Sequence, residues 1–229
     1  YGCGTLNIAQ AFEASSNQYF AQMAVGLGRE RIRDTAGALG IKAVETPREA
    51  VLAGFYPDIW NTSNKRIANA MAPQQSTIVT GKGISNYDIG LEGMGQGYAG
   101  QMTPFQMALV TAAAANLEGK LMKPRIELDV PPQMYSQVVT PQQAASIREI
   151  MALVTEGSGG TATRVFGTVR AAGIRVGGKT GTAEKQAPVF DSNGKLKTTK
   201  RKRKDRDGKL IEYDAPVMYE RTDSWFIAF

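Results

Sequence analysis

The 229-residue sequence has no histidine and a single cysteine, Cys3. The lack of histidine excludes Ser-His-Asp and Cys-His nucleophilic mechanisms and His-ligated zinc. One thiol can neither close a disulfide within the chain nor build a thiolate metal centre. We therefore expect no cofactor and no metal site, and any proton transfer has to run through Lys, Asp, Glu, Tyr or water.

Long apolar runs are also lacking, since none approaches the ~18 residues that suggest a membrane-spanning helix. Excess positive charge is confined to one segment. Residues 195–209 carry nine basic and two acidic side chains, a net of +7, whereas the whole chain has +6 and the remainder therefore about −1. No aromatic residue interleaves with these cations for base stacking, so we expect no nucleic-acid partner. A solvated loop is the main interpretation, and contact with anionic phospholipid headgroups or an acidic partner is the alternative.

What is present is a patterned chain in which 42% of residues are hydrophobic, so it should bury a real core. Helical patterns come first and strand patterns last, which predicts a mixed α/β or α+β fold with a large helical part. The chain starts at Tyr1 and stops inside "SWFIAF", an aromatic run typical of a core strand. We therefore expect residues 1–229 to be a partial domain from a longer protein.

Apolar spacing and capping residues predict the helices. They are expected at residues 6–13, 19–27, 29–39, 104–118 and 141–156, with a further short helix at 158–166. Residues 54–100, rich in Gly, Asn, Ser and Pro, are expected to be irregular. Two strands are predicted at 174–184 and 224–229, and the absence of a helical pattern between them favours an antiparallel hairpin. Residues 187–223 are then an insertion that carries the basic run.

The stretch "GGKTGTAEK", residues 177–185, places a cation, two hydroxyls and a glycine in the first predicted strand. An edge strand offers unpaired N–H and C=O groups that an extended peptide can join. Lys179 offers a positive charge for a substrate carboxylate, and the hydroxyls of Thr180 and Thr182 add hydrogen bonds. Gly181 lacks a side chain, so another backbone can come close. A solvated strand end with ordinary polar residues is the alternative interpretation.

Ser15-Ser16-Asn17 stands at a break between two predicted helices. Taken alone, it fits a helix terminus that uses Ser and Asn as caps. It gains weight as a functional motif because the Lys-Thr-Gly strand follows later in the same chain. A third motif, Gly-x-Gly-x-x-Gly at residues 95–100, matches the dinucleotide fingerprint, but no buried strand precedes it and the helix starts after its last glycine. We interpret it as a loop packed near the site.

Ser-x-Asn followed much later by Lys-Thr-Gly resembles the second and third motifs of the penicillin-binding proteins and serine β-lactamases. The stretches that share this similarity are residues 6–28, 93–126, 154–162, 177–184 and 224–229. These stretches are spread along the chain, and the resemblance extends over nearly all of it except the basic insertion. The sequence most resembles the C-terminal part of a class B penicillin-binding protein, a monofunctional peptidoglycan D,D-transpeptidase. "SSNQYF" is more similar to the cell-elongation type than to the division type.

The resemblance implies a transpeptidase fold with a helical lobe and an antiparallel sheet, incomplete at both ends. It implies a serine acyl-enzyme that crosslinks stem peptides at D-Ala-D-Ala and is inhibited by β-lactams. The nucleophile motif, Ser-x-x-Lys, is absent from the fourteen residues before Ser15, so we expect it upstream and the fragment alone to be inactive. The expected location is the extracytoplasmic face of the cytoplasmic membrane, with an N-terminal anchor helix outside this sequence. A SEDS-type glycosyltransferase is the expected membrane partner.

The same resemblance assigns catalytic roles to three residues. Ser15 is expected to relay protons between the nucleophile and the leaving amine. Asn17 is expected to hold the substrate amide and orient the lysine of the missing motif, and Lys179 to sustain a positive potential around the site.

Substrate binding is expected from Thr180, Gly181 and Thr182, with the two threonines holding the terminal carboxylate and the Thr182 N–H serving as one of two oxyanion donors. Two other functions stay open. One is a serine β-lactamase-like hydrolase, which the Thr-Pro-x-Gln-Met helix disfavours. The other is a non-catalytic penicillin-binding scaffold or sensor.

Overall fold

The computed structural model describes residues 4–96, 100–204 and 208–229. The chain forms two compact units, one reaching to Gly181 and including Phe226–Phe229, the other spanning Thr182–Trp225. Within the described ranges no helix combines the length and the hydrophobicity needed to cross a bilayer.

The first unit is mainly helical. Its elements are α1 (Ile8–Glu13), α2 (Asn17–Ala38), β1 (Lys42–Val44), α3 (Pro47–Val51), a 3₁₀ turn (Pro57–Ile59), α4 (Lys65–Ala70), β2 (Thr77–Val79), α5 (Asn86–Gly93), α6 (Pro104–Ala115), β3 (Lys120–Met122), β4 (Met134–Gln137), α7 (Pro141–Glu156) and α8 (Gly167–Ala171). Strands β1 and β2 pair in parallel, and β3 and β4 pair antiparallel. The mixed helix-and-sheet fold class predicted from the sequence is confirmed.

The core of the first unit is assembled from small buried clusters. One gathers Ile59, Leu109, Ala113 and Leu121, and joins α6 to β3 and the 3₁₀ turn. A second lies between the end of α2 and β2 and contains Ala36, Ile41 and Ile78. Burying these side chains stabilises the folded state by about 25 cal/mol for each Å² of apolar surface removed from water. The clusters fix the frame on which α1 and the last helices are held.

The Thr-Pro-x-Gln-Met stretch is a structural joint in this fold. Thr103 accepts a hydrogen bond from the Gln106 N–H and caps α6, and Pro104 takes the first helical position, as the sequence predicted. The buried Gln106 side chain then donates from Nε2 to the Leu39 carbonyl oxygen at 2.6 Å. Since Leu39 closes α2, this bond satisfies one of the carbonyls left over at that helix end.

Two local predictions are wrong. Residues 54–100 are not one irregular loop, because they contain α4, β2 and α5. Strand β2 has three buried residues and is too short to show a period, and the capping box of Ser85 and Asp88 at the start of α5 was missed. Residues 158–166 form turns rather than a helix, and α8 begins after them.

The last four strands are β5 (Gly178–Pro188), β6 (Thr198–Lys204), β7 (Leu210–Pro216) and β8 (Met218–Ala228). In the described part of the chain, β5 pairs with β8, and β6 pairs with β7. The β6–β7 ladder is antiparallel, runs from Thr198 opposite Pro216 to Lys204 opposite Leu210, and leaves every β6 residue exposed. The basic run of the sequence therefore contains a strand, with its side chains in solvent.

Candidate active site

Ser15 occupies a strained backbone position at the end of α1. The Ser15 N–H donates to the Phe12 carbonyl at 3.1 Å, and the Ser16 N–H donates to the Ala11 carbonyl at 2.8 Å. These two bonds form a Schellman motif, whose turning residue is most often glycine. Ser15 has a φ of 54°, and no other non-glycine residue in the described ranges has a positive φ. A side chain in this conformation costs about 1 kcal/mol, so the fold keeps a hydroxyl here at the expense of stability.

Lys179 meets this hydroxyl from the far end of the sequence. Its Nζ donates to the Ser15 Oγ at 2.6 Å and to the Thr180 carbonyl at 2.7 Å. The Nζ also lies 5.7 Å from the centroid of the Phe12 ring, within range of a cation–π contact. Burial lowers the pKa of the Lys179 ammonium, because desolvation disfavours the charged form. The site thus holds a partly desolvated cation directly against a hydroxyl.

Two glycines allow the strand that carries Lys179 to start where it does. Gly177 exchanges two backbone hydrogen bonds of 3.0 Å with Phe229, the pattern of a hydrogen-bonded antiparallel pair. A Cβ on Gly177 would lie 2.6 Å from the Phe229 ring, and one on Gly178 would lie 2.7 Å from the Phe226 ring. The two phenylalanines of "SWFIAF" therefore pack directly over the glycine backbone that leads into Lys179.

The approach to this strand is tied to α7. The buried Thr155 hydroxyl donates to the Val176 carbonyl at 2.5 Å. Arg175 forms ion pairs with Glu149 at 2.7 Å and Glu156 at 3.3 Å, in a mostly exposed setting. Exposed ion pairs contribute little stability, so the buried hydroxyl is the firmer of the two attachments.

Thr180 contacts a residue that the sequence reasoning did not single out. Its Oγ1 lies 2.6 Å from the Oγ1 of Thr161. Thr161 ends the glycine-rich loop Gly157–Thr161, which follows α7 and belongs to the stretch "VTEGSGGTA". That stretch is one of those that share the family similarity, but nothing in a glycine-rich turn indicates which side chain reaches the strand. A threonine after two glycines was the only available signal.

Asn17 is not part of this cluster. It is the first residue of α2 and is exposed, and its side chain forms no hydrogen bond within the described ranges. Ser16 caps the helix instead, with its Oγ accepting from the Tyr19 N–H at 3.4 Å. The structure therefore brings together Ser15, Lys179 and Thr180 and leaves Asn17 beside them, facing solvent.

Gly181 and Thr182 continue β5 and are exposed. Gly181 ends the first part of the first unit, and Thr182 begins the second unit. An exposed glycine beside Thr180 leaves the backbone accessible, as expected for close approach by another chain.

The Gly-x-Gly-x-x-Gly stretch lies partly outside the described residues, since these exclude 97–99. Gly95, with a φ of 79°, follows the last turn of α5, and the next helix starts only at Pro104. This is not the strand-to-helix turn that a dinucleotide needs. Nearby, the partly buried Glu92 carboxylate accepts hydrogen bonds from the N–H groups of Val79 and Gly100, and desolvation raises the pKa of Glu92 to about 7.

One Ser-x-x-Lys tetrapeptide occurs in the sequence, from Ser192 to Lys195. It forms a turn in the second unit, where Asp191 Oδ1 accepts from the Asn193 and Lys195 N–H groups at 2.9 Å each. Serine and lysine three residues apart lie on one face only when they stand in a helix. Residues 192–195 form a turn, so the two side chains are not brought together in that way. The hydrogen bonds to Asp191 account for this tetrapeptide as an ordinary exposed turn, with no catalytic role.

Comparison with known proteins decides the family. The penicillin-binding protein transpeptidase domain matches residues 1–202. The chain belongs to this family. The resemblance to class B penicillin-binding proteins is thereby confirmed.

Relatives of this transpeptidase domain are distant in sequence. Peptidoglycan D,D-transpeptidase PbpA of Mycolicibacterium smegmatis is 26% identical over 196 residues, which cover 80% of this chain and 33% of the relative. The chain thus spans about a third of the length of that curated relative.

Two solved structures share the fold. The D,D-transpeptidase domain of a peptidoglycan glycosyltransferase from Eggerthella lenta is 24% identical, with a TM-score of 0.57, covering 81% of this chain and 43% of the other. The ceftriaxone acyl-enzyme complex of penicillin-binding protein A from Mycobacterium tuberculosis is 24% identical, with a TM-score of 0.54, covering 79% and 36%.

Proposed function

We propose that this chain is part of a peptidoglycan D,D-transpeptidase that crosslinks stem peptides through a serine acyl-enzyme. The observation that carries the proposal is the 2.6 Å hydrogen bond from Lys179 Nζ to Ser15 Oγ, which joins two motifs 164 residues apart in the sequence. The family match supports it, since it spans both motifs. Domain-wise, residues 1–229 are part of the transpeptidase domain and 187–223 an insertion in it.

The nucleophilic serine comes from a Ser-x-x-Lys segment outside these 229 residues. It attacks the carbonyl between the two D-Ala residues of a donor stem peptide, and the C–N bond breaks to release the terminal D-Ala. Ser15 passes the serine's proton to the departing amine, and the positive potential of Lys179 favours the anionic intermediate. An amine of a second stem peptide then attacks the acyl-enzyme and regenerates the serine.

The exposed edge of β5 holds the donor peptide. The peptide pairs with the strand backbone near Gly181, and Thr180 and Thr182 bind its terminal carboxylate beside Lys179. The Thr182 N–H is one of the two donors to the oxyanion, a contribution of about 3 kcal/mol in the transition state. Asn17 holds the substrate amide from the start of α2, where the residue is exposed.

β-Lactams are the proposed inhibitors, because their strained amide and carboxylate are arranged like the scissile amide and terminal carboxylate of D-Ala-D-Ala. A ceftriaxone acyl-enzyme is known for the structural neighbour from M. tuberculosis. The proposed location is the extracytoplasmic face of the cytoplasmic membrane, with a glycosyltransferase of the SEDS type as partner and a role in cell elongation. The name of the M. smegmatis relative supports the peptidoglycan substrate.

Intact-protein mass spectrometry of the full-length protein with benzylpenicillin tests the proposal. We expect a stable one-to-one mass gain that disappears in Lys179→Ala, while Lys200→Ala, an exposed lysine of β6, keeps it. Rapid loss of the adduct to water would favour the β-lactamase-like hydrolase. A stable adduct without any transpeptidation of a D-Ala-D-Ala peptide would favour the sensor, and no adduct on folded protein would overturn the penicillin-binding function.

A further inference from the structure

The loop Gly157–Thr161 brings one hydroxyl to the carboxylate end of the proposed site. We propose that Thr161 is a specificity-determining residue that directs the Thr180 hydroxyl towards the terminal carboxylate of the substrate. This inference rests on the proposed function. It adds a residue that belongs to none of the Ser-x-x-Lys, Ser-x-Asn and Lys-Thr-Gly motifs.

The hydroxyl chemistry defines what Thr161 can do. The two Oγ1 atoms are 2.6 Å apart, so one hydroxyl donates to the other. A hydroxyl has one proton to donate and two lone pairs, whereas a carboxylate can only accept. When Thr161 donates to Thr180, the Thr180 proton is available to the carboxylate. When Thr180 donates to Thr161, that proton is used up and the carboxylate meets lone pairs instead.

The loop fixes the position of Thr161. Glu13 Oε1 accepts from the Gly159 N–H at 2.8 Å, and the Thr163 hydroxyl donates to the Gly157 carbonyl at 2.5 Å. A Cβ on Gly157 would lie 2.2 Å from Glu13 Oε1, so glycine is needed for the carboxylate to come this close. The backbone of Ala162 is bonded to the Val154 carbonyl of α7 at 2.9 Å. Thr161 is therefore held between two anchored points.

The same anchor serves the proton-transfer side of the site. Glu13 is the last residue of α1 and lies two positions before Ser15. Its bond to Gly159 links the helix end that carries Ser15 to the loop that carries Thr161. The chain of contacts then closes through Thr180 and Lys179, since Lys179 Nζ bonds to both Ser15 Oγ and the Thr180 carbonyl. A change at Thr161 should accordingly act on Thr180 without loosening Ser15.

The experiment compares benzylpenicillin with its methyl ester on the full-length protein. Thr161→Val keeps the shape and removes the hydroxyl, and Thr161→Ser keeps the hydroxyl. Without Thr161 as donor, the Thr180 hydroxyl is no longer held with its proton towards the carboxylate, so the second-order acylation rate of Thr161→Val with the free acid should fall about 10-fold, the size of a weakened hydrogen bond to a charged group. Its rate with the ester should change less than about 2-fold, because the uncharged ester oxygen accepts only a weaker hydrogen bond. Thr161→Ser should retain most of the acid-over-ester preference.

A double-mutant cycle provides the second readout. Thr180→Val should lose the same acid preference, and the double variant Thr161→Val/Thr180→Val should lose no more than Thr180→Val alone, because the two hydroxyls act in series. Ser158→Ala is the matched control in the same loop, because Ser158 is exposed and its hydroxyl is not one of the loop's anchoring bonds; any loss there should be small and equal for acid and ester.

Three results would contradict the inference. Equal losses for acid and ester in Thr161→Val would make Thr161 a structural residue, and unchanged rates would remove it from the site. Additive losses in the cycle would show that the two hydroxyls act independently. If the wild-type protein is acylated by neither compound, the proposed function itself fails, which is a different outcome from wild-type acylation with an unaffected Thr161→Val.

Discussion

Lys179 and Lys200 carry the same ammonium group in opposite surroundings. Lys179 contacts a hydroxyl, a carbonyl and an aromatic ring, and its burial lowers its pKa. Lys200 lies on the exposed strand β6 and pairs with Asp214 at 3.0 Å, both side chains being more than half exposed. An exposed pair is screened and contributes little, whereas a partly desolvated cation exerts a strong field on nearby groups. The difference is the physical reason why we propose Lys179, and none of the seven basic residues between 195 and 204, as part of the active site.

The largest effect should come from the hydroxyl that Lys179 contacts. Ser15→Gly removes the proposed proton relay, and we expect benzylpenicillin acylation of the full-length protein to slow by about 100-fold or more. The same change relieves a backbone strain of about 1 kcal/mol and should raise the melting temperature. Stopped-flow acylation and calorimetry measure the two effects separately.

Ser16→Ala is the matched control for that prediction. It removes the cap of α2 and should cost about 1 kcal/mol of stability, with an acylation rate close to wild type. If Ser15→Gly were acylated at the wild-type rate, or Ser16→Ala were slowed equally, the contrast between a catalytic hydroxyl and a capping hydroxyl would be wrong.

A smaller effect is expected for a second pair of residues in different surroundings, the acidic side chains of Glu92 and Glu149. Burial raises the pKa of Glu92 to about 7, whereas the Arg175 guanidinium lowers the pKa of the exposed Glu149. Because the folded state binds the Glu92 proton more tightly than the unfolded chain does, the free energy of unfolding should fall as pH rises from about 4.5 to about 7. The expected slope is of order 1 kcal/mol per pH unit.

Denaturant titrations at several pH values measure this slope. Glu92→Gln should flatten it, since glutamine does not titrate, and Glu149→Gln should leave it in place. A slope of opposite sign in the wild-type protein, or one that Glu92→Gln leaves unchanged, would rule out a buried, protonated Glu92.

The smallest effect should follow from removing the exposed strands. The Val189 N–H donates to the Val217 carbonyl at 2.9 Å, so a short turn can replace residues 190–216 without separating the chain ends. We expect the acylation rate to stay within about 2-fold of wild type, because loop length alters closure entropy only slowly. Loss of benzylpenicillin labelling in a variant with an intact circular dichroism spectrum would show that strands β6 and β7 contribute to the site.

The sequence placed Ser15 and Lys179 in one site because both stand in motifs that resemble those of a single family. It predicted the starts of α6 and α7 because Thr-Pro signals act locally. It could not predict Thr161, whose importance comes from one contact with Thr180 across 19 residues. Long-range contacts of single polar side chains leave no periodic trace.

Burial was equally hard to predict for charged residues. Glu92 is the one charged residue in the last turn of a short helix and looks like a solvent-facing residue, yet its carboxylate is partly buried against two backbone N–H groups. Strand β2 was missed for the same kind of reason, since its three residues are buried because β1 pairs with them. Only the packing of neighbouring elements distinguishes these positions.

The left-handed turn at Ser15 has a consequence for how this protein can change over generations. Selection for folding alone would replace the serine with glycine, because glycine adopts a φ of 54° without penalty. Under the proposed function, selection for proton transfer is what keeps serine at this turn. Homologues that keep the fold but have lost acyl transfer should carry glycine at this position. The residue at this turn would then distinguish inactive homologues from active ones.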